Sequence, residues 1–341
     1  MTHRDEMVQR ESRLTVRPPS THILGVQMPE LPEVETIRRQ LAPLVEGRTL
    51  ERVEILDERW SRPLAPSELA DALVGRRVER LGRRGKYLVW NLQDDVHLAQ
   101  HLRMTGTVLC DPDREPAHVR VRIELGRSPR RSRARPEDRA HGAAGETGSR
   151  RLVVVDPRRF GTGELLLGRG ALDAFFAARL GLEPLDEGFT VEHLQALTRE
   201  RTAPVKAFLL DQRRVAGIGN IYADEALHRA GIHPLRPAGR LTPEQHARLH
   251  EAVIWALRAG IEARGATIDD FRHVDGVWGS FQDRFGVHRR EGEPCARCGT
   301  TIVKMVAAGR GTYVCETCQP PPRIRSPMRR AARAGGRSPR L

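Results

Sequence analysis

Aromatic residues are scarce in this chain, at 4% of 341 residues, and hydrophobic residues as a whole reach only 39%. That is lean, yet a chain of this length still buries enough for two or three domains. Long apolar runs are missing as well. No segment approaches the ~20 residues that span a bilayer, and residues 1–27 lack the continuous apolar centre of a secretion signal. A cytoplasmic chain without membrane contact is therefore expected. Acid is short relative to base: 44 Asp and Glu against 57 Lys and Arg give a formal charge of +13. An excess on that scale favours a polyanionic partner, nucleic acid first, with basic tails on a protein from an arginine-rich genome as the alternative. Cysteine is rare too, and four of the five residues fall in two close pairs. In a reducing compartment such pairs argue for metal over disulfides.

Residues 1–27 are polar, carry Pro18-Pro19 and show no sustained periodicity, so they read as a disordered or non-native extension. From Pro32 the pattern becomes helical, with Val34, Ile37, Leu41 and Leu44 on one face and Glu33 and Glu35 at the positive end. Strands are expected over 50–56, 78–81, 86–92, 96–98, 119–125, 152–155 and 164–167, the 119–125 segment alternating apolar with charged residues. Between 127 and 151 lies an Arg-, Ser-, Pro- and Gly-rich insertion that reads as a mobile basic loop. Helical spacing then takes over, at 171–180, 191–199, 204–210 and 221–230. Thr242-Pro243-Glu244-Gln245 is expected to cap a long helix to about 264. Residues 271–293 hold no long helix, and the tail from 320 is rich in arginine and free of acid.

Three features carry chemistry. Cys295-x-x-Cys298 and Cys315-x-x-Cys318, sixteen residues apart, match a four-thiolate structural zinc site, closed and so not catalytic. Short strands at 301–306 and 311–314 fit between the pairs. Cys110 reads as an inert buried hydrophobe. Gly217-Ile218-Gly219 joins two helical stretches, and the helix from Asn220 offers backbone N–H groups as a phosphate seat; taken alone, the turn reads first as a plain helix connection. Met28-Pro29-Glu30-Leu31-Pro32-Glu33 is the third. A chain beginning at Pro29 would present a secondary amine of pKa about 8 next to the Glu30 carboxylate, a nucleophile with an acid beside it.

Together with Gly85-Lys86-Tyr87-Leu88, His101–Met104–Gly106 and Asp156-Pro-Arg158-Arg159-Phe160-Gly161, these stretches make the chain from Met28 to Gln319 resemble the bacterial formamidopyrimidine-DNA glycosylases, relatives of endonuclease VIII. The resemblance implies a two-domain α+β fold. A β-sandwich with flanking helices (28–168) would precede a helix-two-turn-helix domain (182–290), a β-hairpin zinc finger (291–319) and a disordered basic tail (320–341). It implies a monomeric repair enzyme that removes oxidised purines from double-stranded DNA and cuts the strand, with one structural Zn2+ on Cys295, Cys298, Cys315 and Cys318. By the same likeness Pro29 is the nucleophile and Glu30 the general acid, with Glu33 in support. Lys86, His118, Asn220 and Arg310 grip phosphates, Met104 and Phe160 fill the void of a flipped base, Arg158 faces the orphaned base, and Lys206 is an unassigned helper. Active protein is expected to begin at Pro29. Two departures stand out: the 127–151 insertion, and Trp278 in a glycine-rich segment where the family has a loop over the flipped base. A catalytically silent DNA-binding relative and a zinc-ribbon protein of the transcription type are the competing readings.

Overall fold

The computed structural model describes residues 28–127, 148–267 and 279–322. The expectations for the N-terminal extension, most of the basic insertion, Trp278 and nearly all of the C-terminal tail fall outside the described residues.

The first helix, α1 (Leu31–Val45), starts where the sequence predicts, with Pro32 in its first turn and the Glu33 carboxylate accepting the Glu30 N–H at 2.9 Å. After it come β1 (Leu50–Ile55), α2 (Glu58–Ser61), α3 (Pro66–Leu73), β2 (Val78–Arg84), β3 (Tyr87–Leu92), β4 (Val96–His101), β5 (Thr107–Cys110), β6 (Val119–Leu125), β7 (Arg150–Val155) and β8 (Thr162–Leu167). They pair into two antiparallel four-stranded sheets, in the orders β1-β6-β7-β5 and β2-β3-β4-β8. Alternation along each strand sends one face inward. Val53, Val121 and Leu152 of one sheet and Leu81, Trp90 and Leu98 of the other share a single buried cluster with Val34, Ile37 and Leu41 of α1. The expected β-sandwich is therefore present, with α1 sealing it. The far face of the second sheet is covered by α4 (Arg169–Ala177) through Phe175 and Phe176 against Tyr87. The strand assigned to 152–155 begins two residues earlier, because Arg151 and Arg150 continue the ladder opposite Glu124 and Leu125. Unforeseen are β5, α2 and α3.

The second half is helical: α5 (Val191–Thr198), α6 (Val205–Leu210), α7 (Asn220–Ala230) and α8 (Pro243–Glu262). The Thr242 hydroxyl accepts the Gln245 N–H and Gln245 reaches back to Thr242 N, the capping box expected there. A second apolar cluster links α5 through α8, and Leu31 belongs to this cluster although Val34, one turn on, belongs to the first. Helix α1 thus enters one core with its first residue and the other with the rest. The chain closes with the hairpin β9 (Val303–Ala307) and β10 (Arg310–Val314), held over a small core of Val287, Cys295, Ile302 and Cys315.

Candidate active site

Glu30 is the residue on which both halves converge. Its side chain turns away from α1 and lies against the N-terminus of α7, where it accepts Gly219 N–H at 2.6 Å and Ile221 N–H at 3.0 Å, with Tyr222 N–H at 3.5 Å. Leu31 N–H donates to the Gly217 carbonyl at 3.0 Å, fastening the start of α1 to the same turn. The approach is close enough that a Cβ on Gly219 would sit 2.3 Å from Glu30 Cδ. This corrects the sequence expectation that the α7 N-terminus is a seat for phosphate: the protein's own carboxylate occupies it, since a helix N-terminus accepts any anion and Glu30 is there already.

Burial raises the Glu30 carboxyl from 4.5 to about 7; Glu33 adds to the rise, while Lys86 and the α7 N–H groups pull the other way. Glu33, equally buried, accepts from the Tyr222 hydroxyl at 2.7 Å and Ala266 N–H at 2.8 Å, and its own carboxyl is also raised by burial. Of the two roles the sequence leaves open for Glu33, support of the site and a helix-start acid, its contacts go beyond the second: it ties α1 to α7 and to the segment after α8. Lys86, 6% exposed, has its ammonium pushed down by burial against the attraction of Glu30 and Glu33. Its place is set by the β2–β3 turn, where Gly85 N–H donates to Glu183 and Arg83 bridges Glu183 at 2.9 Å and Glu35 at 3.2 Å. A carboxyl titrating near 7 beside an ammonium whose pKa is lowered by burial is an arrangement suited to moving a proton at the carboxyl near neutral pH.

Glu30, Lys86, Met104, Asn220 and Arg310 line one open cleft of about 510 Å³ between the sandwich and the helical half, reached also by the zinc hairpin. Pro29 is buried between Glu30 and Met28, and Met28 lines the cleft. Asn220 donates from Nδ2 to the Gly311 carbonyl at 3.0 Å, so α7 holds the hairpin that presents Arg310. On the cleft's rim, Asp156 organises the second turn: it accepts the Thr105 hydroxyl and the N–H groups of Arg158 (3.2 Å), Phe160 (2.8 Å) and Gly161 (2.7 Å). Met104 and Arg158 meet there, Sδ to Nη1 at 3.5 Å, and the Arg158 guanidinium lies 5.0 Å from the Phe160 ring centre. Phe160 is 46% exposed, a large apolar ring facing water with no core behind it.

Two expected residues lie elsewhere. His118 is exposed and does not line the cleft; its carbonyl accepts Asp156 N–H at 3.0 Å, below the Asp156 turn. Lys206 is fully buried between α7 and the hairpin, paired with Asp224 at 2.7 Å and donating to the Thr312 hydroxyl at 2.7 Å. Conversely His101 and Lys304 line the cleft without having been singled out, one opening the quoted methionine stretch and the other lying between the cysteine pairs.

The four cysteines come together as the spacing predicts, with all four sulfurs within 4.8 Å of one another. Cys295 and Cys318 lie 3.9 Å apart, Cys298 and Cys315 3.4 Å, Cys298 and Cys318 3.5 Å. Tetrahedral zinc with 2.3 Å bonds to sulfur separates its ligands by about 3.8 Å, so the donor set fits one structural zinc. Cys110 is half-buried, its thiol pushed up to about 11 by burial, which agrees with an inert residue.

A sandwich and a helical half that close on a basic cleft, one buried acid shared between them and a zinc hairpin at the rim are the marks of a DNA-processing enzyme. Family models match in series: the N-terminal domain of formamidopyrimidine-DNA glycosylase over residues 28–163, its H2TH domain over 180–272, and the zinc finger found in FPG and IleRS over 292–321. The chain belongs to the formamidopyrimidine-DNA glycosylase family and is a DNA glycosylase of base-excision repair. It is 44% identical to the formamidopyrimidine-DNA glycosylase of Chloroflexus aurantiacus over 298 residues, covering 86% of this chain and 98% of that one. The crystal structure of the Thermus thermophilus protein superposes with a TM-score of 0.72 at 40% identity, over 85% of this chain and 98% of that one. A Lactococcus lactis point mutant in complex with Fapy-dG-containing DNA gives 0.74 at 33% identity, over 86% of this chain and 100% of that one.

Proposed function

We propose that the protein removes oxidised purines, 8-oxoguanine and formamidopyrimidines, from duplex DNA through a Schiff base on Pro29, and then cuts the strand by β,δ-elimination. The carrying observation is Glu30, a carboxyl with a pKa near 7 held next to Pro29 in the cleft that Lys86 shares. Pro29 nitrogen attacks C1′, the bond from C1′ to the base breaks with its electron pair leaving on the base, which takes up the proton shed by the amine, and Glu30 gives its proton to the ring oxygen as the sugar opens to the iminium. Glu30 carboxylate then takes and returns protons during elimination. Lys86, Asn220, Arg310 and His118 hold phosphates. Met104 and Phe160 occupy the space of the extruded nucleotide, whose unstacking costs a few kcal/mol, and Arg158 meets the base left behind. Lactococcus relatives bound to Fapy-dG DNA and to abasic-site DNA support the substrate class. The protein acts as a monomer in the cytoplasm.

Pro29 nitrogen must be free for this chemistry, since a peptide nitrogen is no nucleophile. Borohydride trapping on 8-oxoguanine duplex is the test. Protein beginning at Pro29 is expected to crosslink, and acetylating its amine to abolish the crosslink. Equal trapping by an intact 1–341 chain, verified by mass, overturns the proline mechanism.

A further inference from the structure

Helix α7 begins at the Glu30 carboxylate and ends at the zinc cluster, and the contact at its far end is made by a residue no motif includes. His228, 5% exposed in the last turn of α7, places Nε2 3.4 Å from the sulfur of Cys295. The knuckle carrying Cys295 is also docked through Arg297, whose Nη1 donates to the carbonyls of His228 at 2.9 Å and Arg229 at 3.3 Å. From the second knuckle Gln319 donates to the Ile232 carbonyl at 2.9 Å. Four thiolates on a divalent ion leave two negative charges to be dispersed. Cys298 is exposed and Cys318 half-buried, so water can serve them, whereas Cys295 and Cys315 are 2% and 0% exposed, and His228 reaches Cys295. A metal-bound thiolate has no proton, so the hydrogen on the line between His228 and Cys295 belongs to the imidazole. Its other nitrogen faces Gly286, where a Cβ would come within 2.8 Å of Nδ1, so the ring keeps its place only because that neighbour is glycine.

We infer that His228 is an outer-shell donor to the Cys295 thiolate, a positioning residue that slows loss of the structural zinc and joins α7 to the metal. Outer-shell hydrogen bonds orient ligands and moderate their charge, and their removal commonly weakens metal binding by about 10- to 100-fold.

The test is zinc release from the folded protein to a chromogenic chelator, comparing wild type, His228→Phe and His228→Gln. Phenylalanine keeps a flat ring without a donor, and glutamine restores an N–H donor in another shape. Release from H228F is expected to be about tenfold faster, with H228Q nearer to wild type. Cobalt(II) in place of zinc supplies a second readout: without the donor the sulfur-to-metal charge-transfer band of H228F moves to lower energy. Equal release from wild type and H228F overturns the inference. So does release from H228Q as fast as from H228F, which would reduce His228 to packing. Should H228F fail to fold, His228→Leu, which also lacks a donor, takes its place against wild type and H228Q, an unmoved cobalt band with unchanged release in H228L counting against the donor.

Discussion

A buried carboxyl with a pKa near neutrality makes stability and chemistry depend on pH in opposite parts of one cycle. Glu30 rises from 4.5 to about 7 because burial penalises its charged form. The folded state therefore holds this proton more tightly than the unfolded chain. Its contribution to stability is complete below pH 4.5 and is lost as pH climbs toward 7. Glu30→Gln removes the titration. Thermal melting of wild type and E30Q across about pH 4.5 to 8 is expected to show the variant gaining on wild type as pH rises through this window, by roughly a degree or more per unit; parallel curves would mean an ordinary carboxyl. The ring opening proposed to use Glu30 as an acid should slow above about pH 7 in single-turnover borohydride trapping, and E30Q should lose that step at every pH.

At the level of elements, the turn between α6 and α7 acts as a mould for the start of α1. A Cβ on Gly219 meets Glu30 Cδ at 2.3 Å, so Gly219→Ala must displace the carboxylate or the helix. A loss of about 1–3 kcal/mol is expected from such crowding, measured by urea unfolding, together with a fall in borohydride trapping well beyond it. Gly170→Ala, at a position with nothing within 4 Å in the first turn of α4, is the control and should leave trapping unchanged. If G219A traps like wild type, the Glu30 position is not set by this turn. The same turn shows what the sequence could carry. Periodicity revealed α1, β6 and α8 because each is decided by neighbours a few residues away. The pairing of Glu30 with Gly219, 189 residues on, has no local trace, so the α7 N-terminus reads as vacant until the fold is seen. β5, four residues long, and the short helix α2 are too brief to show a period, and β5 is a strand because Val153 and Leu152 of β7 pair with it. The cysteine spacing was legible because zinc geometry acts across few residues, whereas His228, outside that motif, reaches Cys295 only through the docking of two elements.

Among the described residues the apolar cores carry the load unequally. The sandwich and the helical half each bury a large apolar cluster, while the zinc hairpin has only Val287, Cys295, Ile302 and Cys315 beneath it. So small a core cannot hold two strands in water, and the metal supplies what packing lacks, on the scale of about 10–16 kcal/mol seen in zinc-finger peptides. Chelation is expected to melt the hairpin and weaken lesion-duplex binding by roughly tenfold or more, since the phosphate contact proposed for Arg310 loses its mount. The cooperative circular-dichroism transition of the sandwich should persist; its disappearance would show that one core cannot stand without the other. Helix α7 gives this dependence a reciprocal side. One eleven-residue rod touches Glu30 at its first turn and Cys295 at its last. Metal and lesion DNA are then ligands of one equilibrium, and linkage requires their effects on each other to be equal. By whatever factor zinc tightens the grip on damaged DNA, damaged DNA raises the affinity for zinc, so a protein engaged on a lesion holds its metal more tightly at equilibrium.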